Sequence, residues 1–180
     1  MANCPITAGR GLSCNDAIAG LDAIYAIPYV ADAFTINPLT LEVEEIDASI
    51  TEAFKYELRA DANVSVSDGV SDENTGVTLY TETLTIALKK QDNLTSYEVL
   101  KFQQGLHYII TQSKDGNYQL LGSLDGSRVT ASNITSGGAR SDFAGYNLTF
   151  SSFSVTPPPF LNEATVTALL AIVSTNNINP

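Results

Sequence analysis

A chain of 180 residues, 44% of them hydrophobic, is long enough to bury an apolar core and lies outside the low-hydrophobicity, high-charge regime of disordered chains. Nine Lys+Arg against 20 Asp+Glu leave a formal net charge of −11, which excludes binding to DNA or to an anionic membrane through clustered basic side chains. The excess is graded: residues 1–60 hold nine acids and three bases, 61–120 eight and four, 121–180 only three and two, so the last third suits packing better than solvation.

Residues 1–20 have neither a basic n-region nor an apolar h-region and read as an N-terminal arm, not a signal peptide. No stretch reaches the ~20 apolar residues of a membrane span, so no membrane insertion is expected. Cys4 and Cys14 flank a loop that an oxidising setting could close, although a chain with a full core does not need that staple and reduced thiols are the expectation. His107 is the only histidine and lies far from both cysteines, so zinc-ligand spacing is missing and no metal is expected.

The run 23–30 is β-rich and apolar up to Pro28, which predicts an early strand leaving its sheet there. After the turn at Asn37-Pro38, Leu39, Leu41 and Val43 alternate with polar neighbours, a short strand with one wet face. Phe54, Tyr56 and Leu58 alternate with Lys55, Glu57 and Arg59, a half-buried strand. Residues 64–67 extend this pattern, and 68–76 read as an acidic loop carrying Asp68, Asp72 and Glu73.

Residues 75–90 hold the most information. Val77 and Leu79 lie on one parity, whereas Leu84, Ile86 and Leu88 lie on the other. Either a bulge at 81–83 bends the strand, or part of it projects and pairs outside its own domain. Thr95 and Glu98 form a capping box for a helix of about ten residues ending at Gly105, with Leu94, Tyr97 and Leu100 spaced to lie against the sheet. Asp115-Gly116 between 106–110 and 118–121 predicts a hairpin, with His107 packed or at an edge in its first strand.

Residues 128–135 read as a strand. Tyr146, Leu148 and Phe150 alternate before the parity moves to Phe153 and Val155, which suggests a second bulge at Ser151-Ser152. Pro157 to Pro159 force an extended connector that cannot join a central strand. Asn162 then caps an amphipathic helix in which Val166, Leu169, Leu170 and Val173 fall at i, i+3, i+4 and i+7. At this length the helix must dock, on its own sheet or as an arm on a neighbouring subunit.

No Gly-rich phosphate loop, GxSxG elbow or HExxH is present, and a triad would have to recruit His107. The expectation is a non-enzyme without a cofactor. The domain division is 1–20 arm, 21–156 β domain, 157–180 proline connector and helix.

The order of elements, with Tyr80-Thr-Glu-Thr-Leu-Thr-Ile-Ala-Leu-Lys-Lys90, Tyr108-Ile-Ile-Thr111, Asp115-Gly-Asn-Tyr-Gln-Leu-Leu-Gly122 and Gly145-Tyr-Asn-Leu-Thr-Phe150, resembles tail-tube-like virion proteins of crass-like phages of gut Bacteroidetes. The resemblance implies a mainly β fold, a β-sandwich or barrel of tail-tube-like type with one flanking α-helix and a C-terminal helical arm. It also implies a structural virion protein of a tail or neck, assembled in the host cytoplasm. Its partners are then copies of itself in a ring of six-fold or twelve-fold symmetry and the adjacent tail or neck proteins, with genomic DNA passing through unbound. The candidate subunit interface is Val77, Leu79, Leu84, Ile86, Val166, Leu169, Leu170 and Val173, and the alternative reading is a β-sandwich module for glycan binding or adhesion.

Overall fold

The computed structural model describes residues 8–11, 18–59 and 62–175. Cys4, Cys14 and most of the N-terminal arm lie outside the described residues. The chain is mainly β, 48% strand against 13% helix, and its two sheets stay open in a sandwich-like arrangement.

The larger sheet is built around β1 (Leu21–Pro28), β7 (His107–Ser113) and β8 (Tyr118–Leu121). Ala23 to Ile27 are buried without a break, because β1 is covered on both faces, and the strand ends at Pro28 as its ring requires. β4 (Phe54–Glu57) pairs with its free side. The β7–β8 hairpin turns at Gly116, whose φ of 82° is open to glycine at no steric cost.

At the other flank, β2 (Phe34–Ile36) and β3 (Glu42–Ile46) form a ribbon. The expected alternation of Leu39, Leu41 and Val43 fails here. Asn37 folds 37–41 into a turn by accepting the Leu39 N–H at 2.8 Å, Leu39 stands 92% exposed and Leu41 takes a φ of 56°, so only Val43 points inward. β11 (Phe160–Leu161) follows the prolines and slots between β3 and β8, parallel to the former, completing the order β2-β3-β11-β8-β7-β1-β4. The connector thus feeds two residues into the middle of a sheet, and Pro159 joins them through its carbonyl alone, which accepts the Leu120 N–H at 2.9 Å.

α2 (Glu163–Ala171) lies across the concave face of this sheet. Asn162 caps it by accepting the Thr165 N–H, and the Thr165 hydroxyl donates to the Val43 carbonyl at 2.9 Å. Its far end reaches the opposite flank, where the Ala53 N–H donates to Ile172 O at 3.0 Å. Leu169 is fully buried among Tyr25, Tyr108, Ile110 and Leu120. Of the two dockings open to this helix, the structure shows the one on its own domain.

The smaller sheet has the order β5-β6-β10-β9, with β5 (Val64–Asp72), β6 (Val77–Lys89), β9 (Arg128–Thr135) and β10 (Gly145–Ser154). Its inner face (Leu84, Ile86, Tyr146, Leu148, Phe150) packs on Ile24, Ile109 and Leu121 of the larger sheet, with Val99 and Phe102 of α1 (Asn93–Gln104) closing that second core. β5 replaces most of the expected acidic loop, leaving a turn only at 73–76.

Neither expected bulge exists where the parity moves. β6 and β10 pair without a shift from Gly145↔Lys89 to Ser154↔Tyr80, and the only irregularity of β10 faces β9, between Thr149 and Phe150. The inward parity simply continues through polar residues. Glu82, 1% exposed, accepts the Gly122 N–H at 2.8 Å and the Ser152 hydroxyl at 2.7 Å through Oε2, and Ser152 and Ser154 are buried in their turn.

α1 differs in detail from its sequence reading. Its cap is Asp92, whose carboxylate accepts both the N–H and the hydroxyl of Thr95 at 2.7 Å, while Glu98 pairs with Lys101 at 2.8 Å. The face that packs holds Val99 and Phe102, and Leu94, Tyr97 and Leu100 point outward.

Two outcomes follow for stability. Leu169→Ala should cost about 2–5 kcal/mol in urea unfolding, as expected for a fully buried leucine, and a change within error would place α2 outside the core. Glu82→Ala strands the Gly122 N–H and the Ser152 hydroxyl and should lower the urea midpoint by the equivalent of about 1–3 kcal/mol with an unchanged slope.

Candidate functional site

Register fixes which side chains share the face of the smaller sheet turned away from the sandwich. Val64, Val66, Asp68, Val70 and Asp72 of β5 stand opposite Thr85, Thr83, Thr81, Leu79 and Val77 of β6, and Thr81 stands opposite Phe153 of β10. Six large apolar side chains (Val64, Val66, Val70, Val77, Leu79, Phe153) are therefore on one face, each between 39% and 66% exposed. Single exposed valines are ordinary, whereas a grouped set on one sheet face makes that face the candidate contact surface.

The same sheet leaves two long strands at its margins, β5 and β9, with no further strand beside either among the described residues. Neither contains a proline or a lysine, the residues that usually block such margins. Beyond Tyr80 the β5–β6 hairpin loses β10 and continues as a two-stranded tip, paired Val70↔Leu79, Ser71↔Thr78 and Asp72↔Val77. Tyr80 covers Gly69 so closely that a Cβ there would stand 2.7 Å from its ring, which fixes glycine at that point.

The sequence-derived interface divides accordingly. Val77 and Leu79 are on the exposed face, and Leu170 is half exposed on α2. Leu84, Ile86 and Leu169 are sealed in the two cores, and Val166 and Val173 pack against the first of them, so these five are withdrawn from contact with a partner by the protomer's own packing. Asp68 lies within β5, Asp72 at its end and Glu73 in the turn. The Asn74 N–H, donated to Asp72 at 2.8 Å, holds that carboxyl below its ordinary range. Val64, Val66, Val70 and Phe153 were missed, although Val64-Ser-Val66 already alternated.

A second feature is a cleft of about 150 Å³ between α1 and the larger sheet, lined by Pro28, Phe54, Tyr56, Phe102 and His107, with Glu98 and Lys101 at its rim. Burial pushes the Tyr56 hydroxyl up to about 12, with the Glu98 charge adding to the effect. His107 stacks edge-on against Phe102 with centroids 5.1 Å apart, and burial lowers its pKa. The carboxylate of the cleft, Glu98, is paired to Lys101 at 2.8 Å. Among the described residues no group of three or more His, Cys, Asp or Glu could hold a metal ion, and no helix is long and apolar enough to cross a membrane.

Because the folded chain resists protonating His107, the unfolded chain takes the proton first as pH falls through about 6.5. Stability from this group is therefore complete above that pH and declines below it. Urea midpoints should fall more steeply between pH 7.5 and 5.5 for the wild type than for His107→Gln, and parallel profiles would refute it.

No family model matches the chain, nor does any curated protein or solved structure.

Proposed function

We propose that this chain is a non-enzymatic structural subunit whose copies join edge to edge into a ring, and that the ring belongs to a bacteriophage tail or neck around the path of the genomic DNA. One observation carries the reading: the two free margins of the smaller sheet are matched in direction and length and offset along the strands.

Four strands alternate in direction, so β9 of one copy and β5 of the next meet antiparallel when the copies stand in the same orientation. β9 lies level with residues 83–89 of β6, whereas β5 lies level with 77–85. Full pairing therefore slides each copy by four to six residues past its neighbour. At ~3.3 Å per residue and ~4.8 Å between strands, five residues over four strands tilt the strands about 40° from the ring axis, inside the roughly 35–45° at which sheets close into barrels. Six copies at that tilt give a wall about 48 Å across at the backbone, wide enough for a double helix.

The charge is consistent with passage of DNA. A net −11 offers phosphates nothing to hold, and the outward face is mostly valine and threonine with Asp68 and Asp72 against Arg128 and Lys89. The resemblance of residues 80–90 and 145–150 to tail-tube-like virion proteins supports the same assignment, with the virion as the location.

Negative-stain microscopy of the purified chain should show rings with a central opening, and monomers at all concentrations would overturn the proposal. Neighbouring residues of a strand turn their N–H groups to opposite sides, so of Asn133→Pro and Ile134→Pro one removes a donor at the free margin alone. That variant should keep the wild-type circular dichroism and form no rings.

A further inference from the structure

We infer that the tip of the β5–β6 hairpin of one copy docks on the outward face of α1 of a second copy, so that assemblies of this chain stack head to tail. The inference deepens the ring reading and rests on it for the layer in which the second copy sits.

The tip is amphipathic although nothing in its own chain covers it. One side is tied by the hydroxyls of Ser71 and Thr78 at 2.9 Å, and the other carries Val70, Val77 and Leu79 with Asp72 beside them. A two-stranded ribbon is marginal in water without a surface to pack on. α1 offers one. Leu94, Tyr97 and Leu100 form an outward stripe at i, i+3 and i+6, 58%, 59% and 44% exposed, with the Lys101 ammonium 4.6 Å above the Tyr97 ring and neither sheet covering it among the described residues.

Charge selects between these partners. Residues 62–88 contain no Lys or Arg, so the tip presents Asp68, Asp72 and Glu73 unopposed. At the receiving end stand Lys89, Lys90 and Lys101; of the acids there, Asp92 caps α1 and Glu98 is paired to Lys101. Lys89 and Lys90 have no ion pair among the described residues and are exposed. In a chain of net charge −11 this basic site is where an acidic element of another copy meets least repulsion.

The two surfaces are at opposite ends of one rigid element. β6 runs from the tip at Val77 to Lys89, about 40 Å at ~3.3 Å per residue, and α1 starts four residues later. A contact between opposite ends is heterologous and repeats from copy to copy, and it builds an open stack where its rotation does not close. It also leaves the lower part of β5 and all of β9 free for lateral pairing.

The test is charge reversal and its rescue in the full chain. Sedimentation velocity at low ionic strength and microscopy are applied to wild type, Asp72→Lys with Glu73→Lys, Lys89→Glu with Lys90→Glu, and all four changes together. Each reversed pair should weaken stacking at least tenfold while single rings persist, and the fourfold variant should restore it. Stacking in the reversed pairs at wild-type strength, or no recovery in the fourfold variant, overturns the inference with the ring reading intact. A wild type that forms linear oligomers without rings, still governed by the swap, upholds the tip contact and removes the ring. A strictly monomeric wild type removes both. Tyr97→Ser, exposed and outside both cores, should reduce stacking without changing the urea midpoint, and undiminished stacking would count against α1 as the receiver.

Discussion

The straightness of the β6–β10 ladder governs everything above it, and a carboxylate held between two sheets keeps it straight. Ten residue pairs run without a shift from Lys89 to Tyr80, and Glu82 faces Ser152 across the ladder while reaching the Gly122 N–H of the larger sheet. Both bonds end on Oε2, while Oε1 is buried without a hydrogen-bond partner among the described residues, so the tie carries a desolvation cost that its two bonds offset only in part. The tie also spans layers: it joins β6 and β10 to the residue after β8, so the two sheets are held in one relative position by a directional bond and not by apolar contact alone. A bend at this point would change both the offset of the sheet margins and the direction of the tip.

The two sheets meet different demands. The larger one is enclosed on both faces, by α2 on one side and by the smaller sheet with α1 on the other. The smaller one has a single covered face, yet its uncovered face is not polar, and its strands run on past the core that supports them. Antiparallel sheets that face water normally alternate apolar with polar residues. Here Val64, Val66 and Val70 take the outward positions and serines the inward ones, the inverse of that pattern.

Much of this was legible in the residues. Asp115-Gly116 announced its hairpin, Pro28 ended its strand, Asn162 capped its helix and residues 128–135 formed the strand expected of them, because each rests on local chemistry. The errors share one cause, an assumption that buried means apolar. Glu82, Ser152 and Ser154 occupy core positions, so a continuous inward parity looked like a change of face at both ends of the same ladder. The converse error placed Leu94, Tyr97 and Leu100 inward, when Val99 and Phe102 were the packed pair. Likewise, Asp68-Gly69 looked like a turn until the partner strand, which no local pattern names, showed the pairing. The site itself was half visible: Val77 and Leu79 stood out by parity, but the margins of a sheet exist only once its order is known.

The insertion of β11 has a consequence for how the fold is reached. Among the described residues Phe160 and Leu161 are the ladder that joins the β2–β3 ribbon to the rest of the larger sheet, pairing with β3 over a hundred residues earlier in the chain and with β8 about forty earlier. Until these two residues are made the ribbon has side-chain contacts such as Phe34 against the Tyr108 ring at 4.8 Å but no ladder to the rest of the larger sheet. Completion of the hydrophobic core under α2 waits on the same moment. Closure over so long a stretch of chain comes at a high entropic cost, and the four strands of the smaller sheet are all made before the residues that complete the larger one.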